Sequence, residues 1–256
     1  MGVHQKIDRV AHRHIKRHVS KMVHFPTAQE VLHFEGLNGP DGIKRKSPAK
    51  DEPWHYIDPK NPDDHVLIGM INDHIYNMAE ALREGNTVRA AFEAAWMSHA
   101  ITDGLTPAHH YPLEAKLEEL RGGQSIETRI TTKDKLVLPG KTRRHQIKNN
   151  WEYWGVKGVM TTHLGFELGV ATTIAGLKFE DTAPKEKQYE AVQTDGFESV
   201  FKSILSHVDG LNMYEEFSRS GWTRHLATRT KKVLIPEIVR AVTLAWYQAV
   251  VIAEKK

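Results

Sequence analysis

Apolar residues recur every three or four positions along most of the chain, which is the spacing of amphipathic helices. The first such stretch covers residues 4–23, and a short second helix is expected at Thr27 to Phe34, after the break at Pro26. The same spacing predicts helices over residues 65–84, 87–102 and 143–177, with Gly155 and Gly158 able to interrupt the last, and two or three more beyond residue 188, the final one starting at Pro236. The pattern therefore predicts an all-α, multi-helix bundle.

Two segments depart from the helical pattern. Residues 36–53 are rich in Gly and Pro, which favours a loop. Residues 125–138 place short runs of β-favouring residues on either side of Lys133 and Asp134, a pattern that predicts a small β-hairpin or an irregular excursion. We therefore expect a hairpin-like insertion near 125–138, within a longer inserted stretch over 111–142.

The composition is that of a globular protein. The chain has 256 residues, of which 40% are hydrophobic and 26% charged, so a single domain spanning 1–256 is expected. The absence of cysteine excludes disulfides, thiolate metal sites and a cysteine nucleophile. The longest apolar run, 241–253, is too short to span a membrane, and the basic N-terminal segment does not resemble a signal peptide. These features favour a cytoplasmic protein without an integral membrane segment.

Charge and histidine are unevenly distributed. Residues 1–50 contain ten Lys and Arg against four Asp and Glu, whereas residues 51–120 contain four against thirteen. The acidic segment also holds six of the 16 histidines. A uniformly basic nucleic-acid-binding protein would not show this distribution. Imidazoles among carboxylates favour a site for cations, although an acidic solvated surface is the more common cause of such a run.

The most informative segment covers residues 96–110. His99 and Asp103 are four residues apart, so they share one helix face and can bind the same cation. Pro107 then ends the helix, and the chain presents another imidazole at His109. The resulting pattern is H-x3-D-x5-H, which combines two helical ligands with one from the turn that follows.

Two further pairs extend this pattern. His163 and Glu167 repeat the spacing of one helical turn downstream, and Asp41 and His55 lie upstream. Taken singly, such pairs are more often surface hydrogen bonds or turn residues than metal ligands. Their order along the chain, together with the H-x3-D-x5-H block, favours a His and carboxylate metal cluster.

The ordered set resembles the zinc-dependent phospholipase C and S1/P1 nuclease superfamily, and the resemblance covers His4 to Glu167. It implies an all-α domain that binds two or three zinc ions. The positions of the first zinc match Asp41, His55, His99 and Asp103, and those of the second match His109, His163 and Glu167. The resemblance also implies catalytic roles for Asp41, which would orient or deprotonate water, and for Asp103, which would bridge two metal ions.

A third zinc in this family takes a histidine from the first helix. We assign it to His4, because the pattern H-x2-I-x2-V-A that begins there resembles the family's first helix. His12 and His14 remain alternatives for this ligand, as His110 does for His109. The stretch between His109 and His163 is long compared with the secreted phospholipases of this family, which implies that the substrate-facing side is remodelled.

The resemblance implies a metal-dependent hydrolase of phosphoesters, most readily a phospholipase C-like phosphodiesterase that uses zinc to activate water. The expected substrate is a phospholipid head group or a nucleotide. A P1-like nuclease or 3′-nucleotidase for single strands is one alternative. A metal-binding protein that takes part in interactions and catalyses nothing is another.

Overall fold

The structure is a computed structural model that describes residues 2–19, 23–42, 55–125, 128–179 and 181–255. These ranges contain helices, turns and loops and no β-strand. The helices are α1 (Val3–Ile15), α2 (Ala28–His33), α3 (Val66–Arg83), α4 (Thr87–Gly104), α5 (Leu113–Leu120), α6 (Thr132–Leu136), α7 (Arg143–Trp154), α8 (Val159–Ile174), α9 (Glu186–Asp209), α10 (Met213–Ser220), α11 (Arg224–Arg229) and α12 (Ile235–Glu254). The predicted all-α class is therefore confirmed.

Helix α12 forms the centre of the bundle. It is apolar on nearly all sides, so it requires neighbours around it, and α1, α3, α4 and α9 pack against it. Ala241, Ala245 and Ala249 recur one turn apart and are fully buried, which lets a neighbouring helix approach closely. Trp246 is also fully buried, and its indole N–H donates to the carbonyl of Ala94 at 3.0 Å.

Helix α12 continues a longer helical segment that starts at Arg224 and includes a π-helical stretch, Thr230–Leu234. Its 31 residues are long and apolar enough to cross a membrane, but 72% of the most apolar window is buried inside the fold. In the described part of the chain no second helix meets this criterion. The segment is therefore accounted for as the core helix of the bundle.

Replacing Trp246 with Ala is expected to lower the free energy of unfolding by about 3–5 kcal/mol, because it leaves a cavity beside a carbonyl that has lost its donor. Urea denaturation followed by circular dichroism measures the change. Truncation of Val88, which is 68% exposed, to Ala should alter stability by less than about 0.5 kcal/mol. Similar stabilities for the two variants would contradict the central role of Trp246.

Helices α3 and α4 form a helical hairpin that positions the H-x3-D-x5-H motif. Helix α3 ends before Gly85, whose φ of +69° glycine adopts without strain. The side chain of Asn86 then accepts a hydrogen bond from the N–H of Arg89 at 3.1 Å. Asn86 is thus the N-cap of α4, which begins at Thr87, the first residue of the predicted helix.

The predicted β-hairpin is wrong. Helix α6 occupies its centre, and Thr131 and Asp134 form a capping box at the start of that helix. The Thr131 hydroxyl accepts from the Asp134 N–H at 3.2 Å, and the Asp134 carboxylate accepts from the Thr131 N–H at 2.9 Å. These paired local hydrogen bonds favour a helical turn over the β preference of the neighbouring residues. Residues 126 and 127 of the predicted hairpin lie outside the described ranges.

Other boundaries also differ from the sequence pattern. Helix α1 ends at Ile15, and the apolar residues Val19 and Val23 pack on the core from non-helical backbone. The predicted helix over 143–177 is interrupted as expected, because α7 ends before Gly155 and α8 starts after Gly158. The C-terminal part of the chain, residues 186–254, contains four helices, α9 to α12, rather than the predicted two or three. Most of the loop predicted over 36–53 lies outside the described residues.

Candidate metal centre

The predicted ligands converge on one cleft from separate parts of the fold. His4 lies on α1, His99 and Asp103 on α4, His109 in a 3₁₀ turn after α4, and His163 and Glu167 on α8, while Asp41 and His55 flank the segment before α3. Within each of three groups the candidate donor atoms lie within 4.8 Å of one another; the groups are His4, His99 and Asp103; Asp41, His55 and His99; and His109, His163 and Glu167.

Asp103 belongs to the first group and also contacts His55 and His99 of the second. Its Oδ1 lies 3.4 Å from Nε2 of His4, and its Oδ2 lies 3.3 Å from Nε2 of His99 and accepts a hydrogen bond from Nδ1 of His55. Asp41 approaches the same site from the surface, with Oδ1 3.9 Å from Nε2 of His99 and a side chain that is 59% exposed. The two oxygens of Asp103 therefore face different imidazoles.

Glu167 occupies the middle of the third group. Its Oε1 lies 3.0 Å from Nε2 of both His109 and His163. The opposite ring nitrogens face backbone carbonyls: Nδ1 of His109 donates to His55 at 2.9 Å, and Nδ1 of His163 donates to Ala108 at 3.2 Å. These contacts orient both rings with Nε2 towards Glu167, and such backbone contacts fix the tautomer in which Nε2 can ligate a metal.

The electrostatics of the cleft favour ionised carboxylates. Burial alone would raise the pKa of Asp103, but the charges of His109 and His99 and the hydrogen bond from His55 hold it well below its usual range. Burial would likewise raise the pKa of Glu167, and the hydrogen bonds from His109 and His163 lower it instead. Burial would lower the pKa values of His99 and His109, but the contact with Asp103 outweighs burial and raises both. Buried negative charge among imidazoles suits a divalent cation.

The fit to zinc can be judged from the ring nitrogens. Among the described residues, neither ring nitrogen of His99 nor Nδ1 of His4 has a hydrogen-bond partner, although these atoms are buried. The two rings stack with centroids 4.1 Å apart beside Asp103. Buried polar atoms without partners destabilise a fold, and a coordinated metal ion would give Nε2 of His99 the partner that it lacks. Imidazole nitrogens with carboxylate oxygens are a donor set that zinc accepts, so the residues fit this metal.

The alternative histidines face away from the cleft. Nε2 of His12 hydrogen-bonds the carbonyl of Pro26, and Nε2 of His14 hydrogen-bonds the hydroxyl of Thr182, each at 2.9 Å. Nε2 of His110 donates to a carbonyl at the end of α4 at 3.0 Å. The structure therefore brings none of the three into the donor groups.

Sequence reasoning missed two buried carboxylates behind the cleft. Oε2 of Glu35 lies 3.5 Å from Nδ1 of His99, where a carboxylate orients a ligating imidazole and increases its basicity. Asp8 accepts a hydrogen bond from the hydroxyl of Ser98, and burial together with the charge of Glu35 raises the pKa of Asp8. Asp8 lies beside Ile7 on the apolar face of α1, and a carboxylate on that face was a visible signal of a buried acidic group. No comparable signal in the sequence indicated Glu35.

Glu35→Gln is expected to weaken zinc binding about 10–100-fold, because it removes the charge behind His99 while preserving volume. Competition with a chromophoric chelator measures the affinity, and circular dichroism checks the fold. Glu80→Gln, at an exposed position on α3, provides the matched control. Equal zinc affinity in the two variants would contradict a positioning role for Glu35.

Two small clefts adjoin the donor groups. One is lined by His55 and His99 together with Trp96. The other adjoins His163 and is lined by apolar and tyrosine side chains, among them Tyr56 and Tyr214. Burial raises the pKa of Tyr56, and it raises that of Tyr214 to about 12, so both hydroxyls are neutral at physiological pH. The lining of this cleft is therefore largely uncharged.

The comparisons with known proteins give a structural likeness. No family model matches the chain, and no curated protein matches it. The crystal structure of Clostridium perfringens alpha-toxin from avian strain SWCP matches with a TM-score of 0.60 and 14% sequence identity. The match covers 100% of this chain and 65% of the toxin chain, so this chain spans less than two thirds of the toxin. At this identity the likeness concerns the fold alone: this chain shares its all-α fold with the matched part of the toxin.

Proposed function

We propose that this protein is a zinc-dependent phosphoester hydrolase and that it acts as a phosphodiesterase of the phospholipase C type. The convergence of the donor groups carries the proposal: residues as distant in sequence as His4 and Glu167 meet in one cleft, with the donors of each group within 4.8 Å. Packing alone does not require so many buried imidazoles and carboxylates in one place. The fold shared with alpha-toxin supports the same function.

The three donor groups would hold the metal ions, and Asp103, a member of the first group that also contacts His55, would serve both of the first two. Bound zinc supplies Lewis acidity, which makes water more acidic and offsets negative charge on phosphate oxygens. Asp41 is the most exposed carboxylate of the cleft, and it is placed to orient an attacking water or accept its proton. The ring centroid of Tyr56 lies 5.0 Å from that of His109 and 5.9 Å from that of His163, so Tyr56 borders the third donor group.

Elemental analysis of tag-free protein, never exposed to a chelator or a metal column, tests the metal centre. We expect two or three zinc ions per chain, since three donor groups are available. Near-zero metal content that added zinc does not restore would overturn the proposal.

A substrate panel then tests the reaction. Release of diacylglycerol from phosphatidylcholine, together with hydrolysis of bis(p-nitrophenyl) phosphate, would support the phosphodiesterase. Release of 3′-phosphate from single-stranded nucleic acid without activity on lipid would favour the nuclease alternative. Bound zinc without turnover on any substrate would leave the interaction role.

A further inference from the structure

Exposed apolar side chains are concentrated on α7 and the end of α6. Ile147, Trp151 and Trp154 are spaced by four and three residues, so they lie on one helix face, and they are 63%, 69% and 38% exposed. The indole N–H of Trp154 donates to the carbonyl of Leu136 at 2.9 Å. This contact joins the face to Leu136 and Val137, which are 53% and 39% exposed. We call these five residues and the basic residues around them the α6–α7 surface.

The same segment is strongly basic. Residues 129–157 contain eight Lys and Arg against two Asp and Glu, whereas the rest of the chain contains 27 against 30. Both acidic residues are engaged, Asp134 in the capping box of α6 and Glu152 with Lys116 at 2.6 Å. The exposed basic residues are Lys133, Lys141, Arg143, Arg144, Lys148 and Lys157. The surface therefore combines large apolar groups with net positive charge.

This combination indicates the chemistry of the occupant. Tryptophan and aliphatic side chains bordered by Lys and Arg bind the interface of an anionic bilayer, where apolar groups enter the acyl boundary and basic groups contact phosphates. A second copy of the chain would place positive charge against positive charge if the same surface paired with itself. An exposed apolar patch of this kind marks an interaction site, and its charge favours a negatively charged lipid surface.

The α6–α7 surface lies next to the tyrosine-lined cleft. Tyr153, between the two tryptophans in sequence, is buried in a second apolar cluster with Leu138. Val159 and Met160 pack against this cluster and also line the cleft that adjoins His163. One small apolar cluster thus connects the exposed surface to the third donor group, and a protein docked through this surface would hold the cleft near the lipid head groups.

We propose that the α6–α7 surface docks this protein on anionic lipid bilayers, with Trp151 and Ile147 in the interface and Arg143, Arg144 and Lys148 on lipid phosphates. Docking itself does not depend on catalysis. The inference that docking presents phospholipid head groups to the metal centre rests on the proposed function.

Vesicle co-sedimentation of the full chain tests this surface. We expect binding to vesicles of equimolar phosphatidylcholine and phosphatidylserine, much weaker binding to phosphatidylcholine alone, and progressive loss as salt increases. Two variants, I147S/W151S and R143E/R144E/K148E, should each bind at least about tenfold more weakly. Trp154 is retained because its indole is hydrogen-bonded to Leu136. The matched controls are Tyr76→Ser, which removes a 63% exposed aromatic residue elsewhere, and K231E/K232E, which reverses two exposed charges near α12.

The outcomes separate docking from catalysis. Variants that stay folded by circular dichroism and bind as well as the wild type would overturn the proposal, as would absence of binding by the wild type. Self-association that the same variants abolish, without vesicle binding, would assign the surface to a second copy instead. Hydrolysis of soluble bis(p-nitrophenyl) phosphate reports the metal centre independently of docking. Vesicle binding without this hydrolysis would support docking and contradict the proposed function. Hydrolysis without vesicle binding would support the proposed function and contradict docking.

Discussion

Asp103→Asn is expected to deplete zinc from the first two donor groups and to reduce phosphodiester hydrolysis by about a thousandfold or more. The substitution keeps the side-chain volume but removes the charge that faces His4, His55 and His99. A Lewis-acid metal supplies several kcal/mol of transition-state stabilisation, and a loss of about 4 kcal/mol corresponds to about a thousandfold. Zinc content by mass spectrometry and initial rates on bis(p-nitrophenyl) phosphate measure both effects.

Two controls make the Asp103 result specific. Asp73→Asn changes an exposed carboxylate on α3 and should leave zinc and rate unchanged. Glu167→Gln should deplete the third donor group, whose centre is Glu167, while the first two groups keep their metal. Full zinc content in a folded Asp103→Asn protein would contradict the shared-carboxylate role of Asp103.

Local spacing accounts for the part of the site that sequence could predict. His99 and Asp103 are four residues apart on α4, and His163 and Glu167 are four apart on α8, so helical geometry alone places each pair on one face. The structure brings both pairs into the cleft. The contact between Glu35 and His99 is different, because it depends on how the segment after α2 packs against α4, and no short spacing encodes it.

The β-hairpin prediction over 125–138 was wrong because average residue preferences were weighed above local hydrogen bonding. Threonine and valine favour strands on average, but a strand also needs a partner, and its preference depends on that context. At Thr131 and Asp134 two reciprocal hydrogen bonds stabilise a helical start within four residues of chain. A serine or threonine followed three residues later by an acidic residue was visible in the sequence, and it was the better guide to this segment than composition.

Removal of zinc is expected to lower the stability of the folded protein by several kcal/mol. A ligand that binds only the folded state contributes about 4 kcal/mol per site at a thousandfold excess over its Kd. For a chain of this size about 4 kcal/mol corresponds to a fall in Tm on the order of 10 °C. Differential scanning calorimetry before and after dialysis against a chelator measures the shift, and added zinc should reverse it.

The metal-free protein should lose stability as pH rises above 6.5. Although burial lowers the pKa of His99 and His109, Asp103 outweighs it and raises both above the ordinary value of 6.5. The folded state therefore holds protons that the unfolded state has released, and this stabilisation is lost as pH rises through the raised values. Burial and the charge of His99 lower the pKa of His4. The titration of His4 therefore affects stability only below pH 6.5, where protonation of the unfolded state destabilises the fold.

The zinc-loaded protein should show the reverse slope between about pH 6 and 8, because zinc binds neutral imidazoles and protons compete with it. Unfolding free energies of the two forms, measured in urea across this range, should therefore diverge as pH rises. His207→Gln, which removes a 54% exposed imidazole outside the cleft, should leave both slopes unchanged. Parallel slopes for the two forms would mean that zinc binds away from His99 and His109, because only a metal that displaces their protons can invert the pH dependence that Asp103 imposes on them.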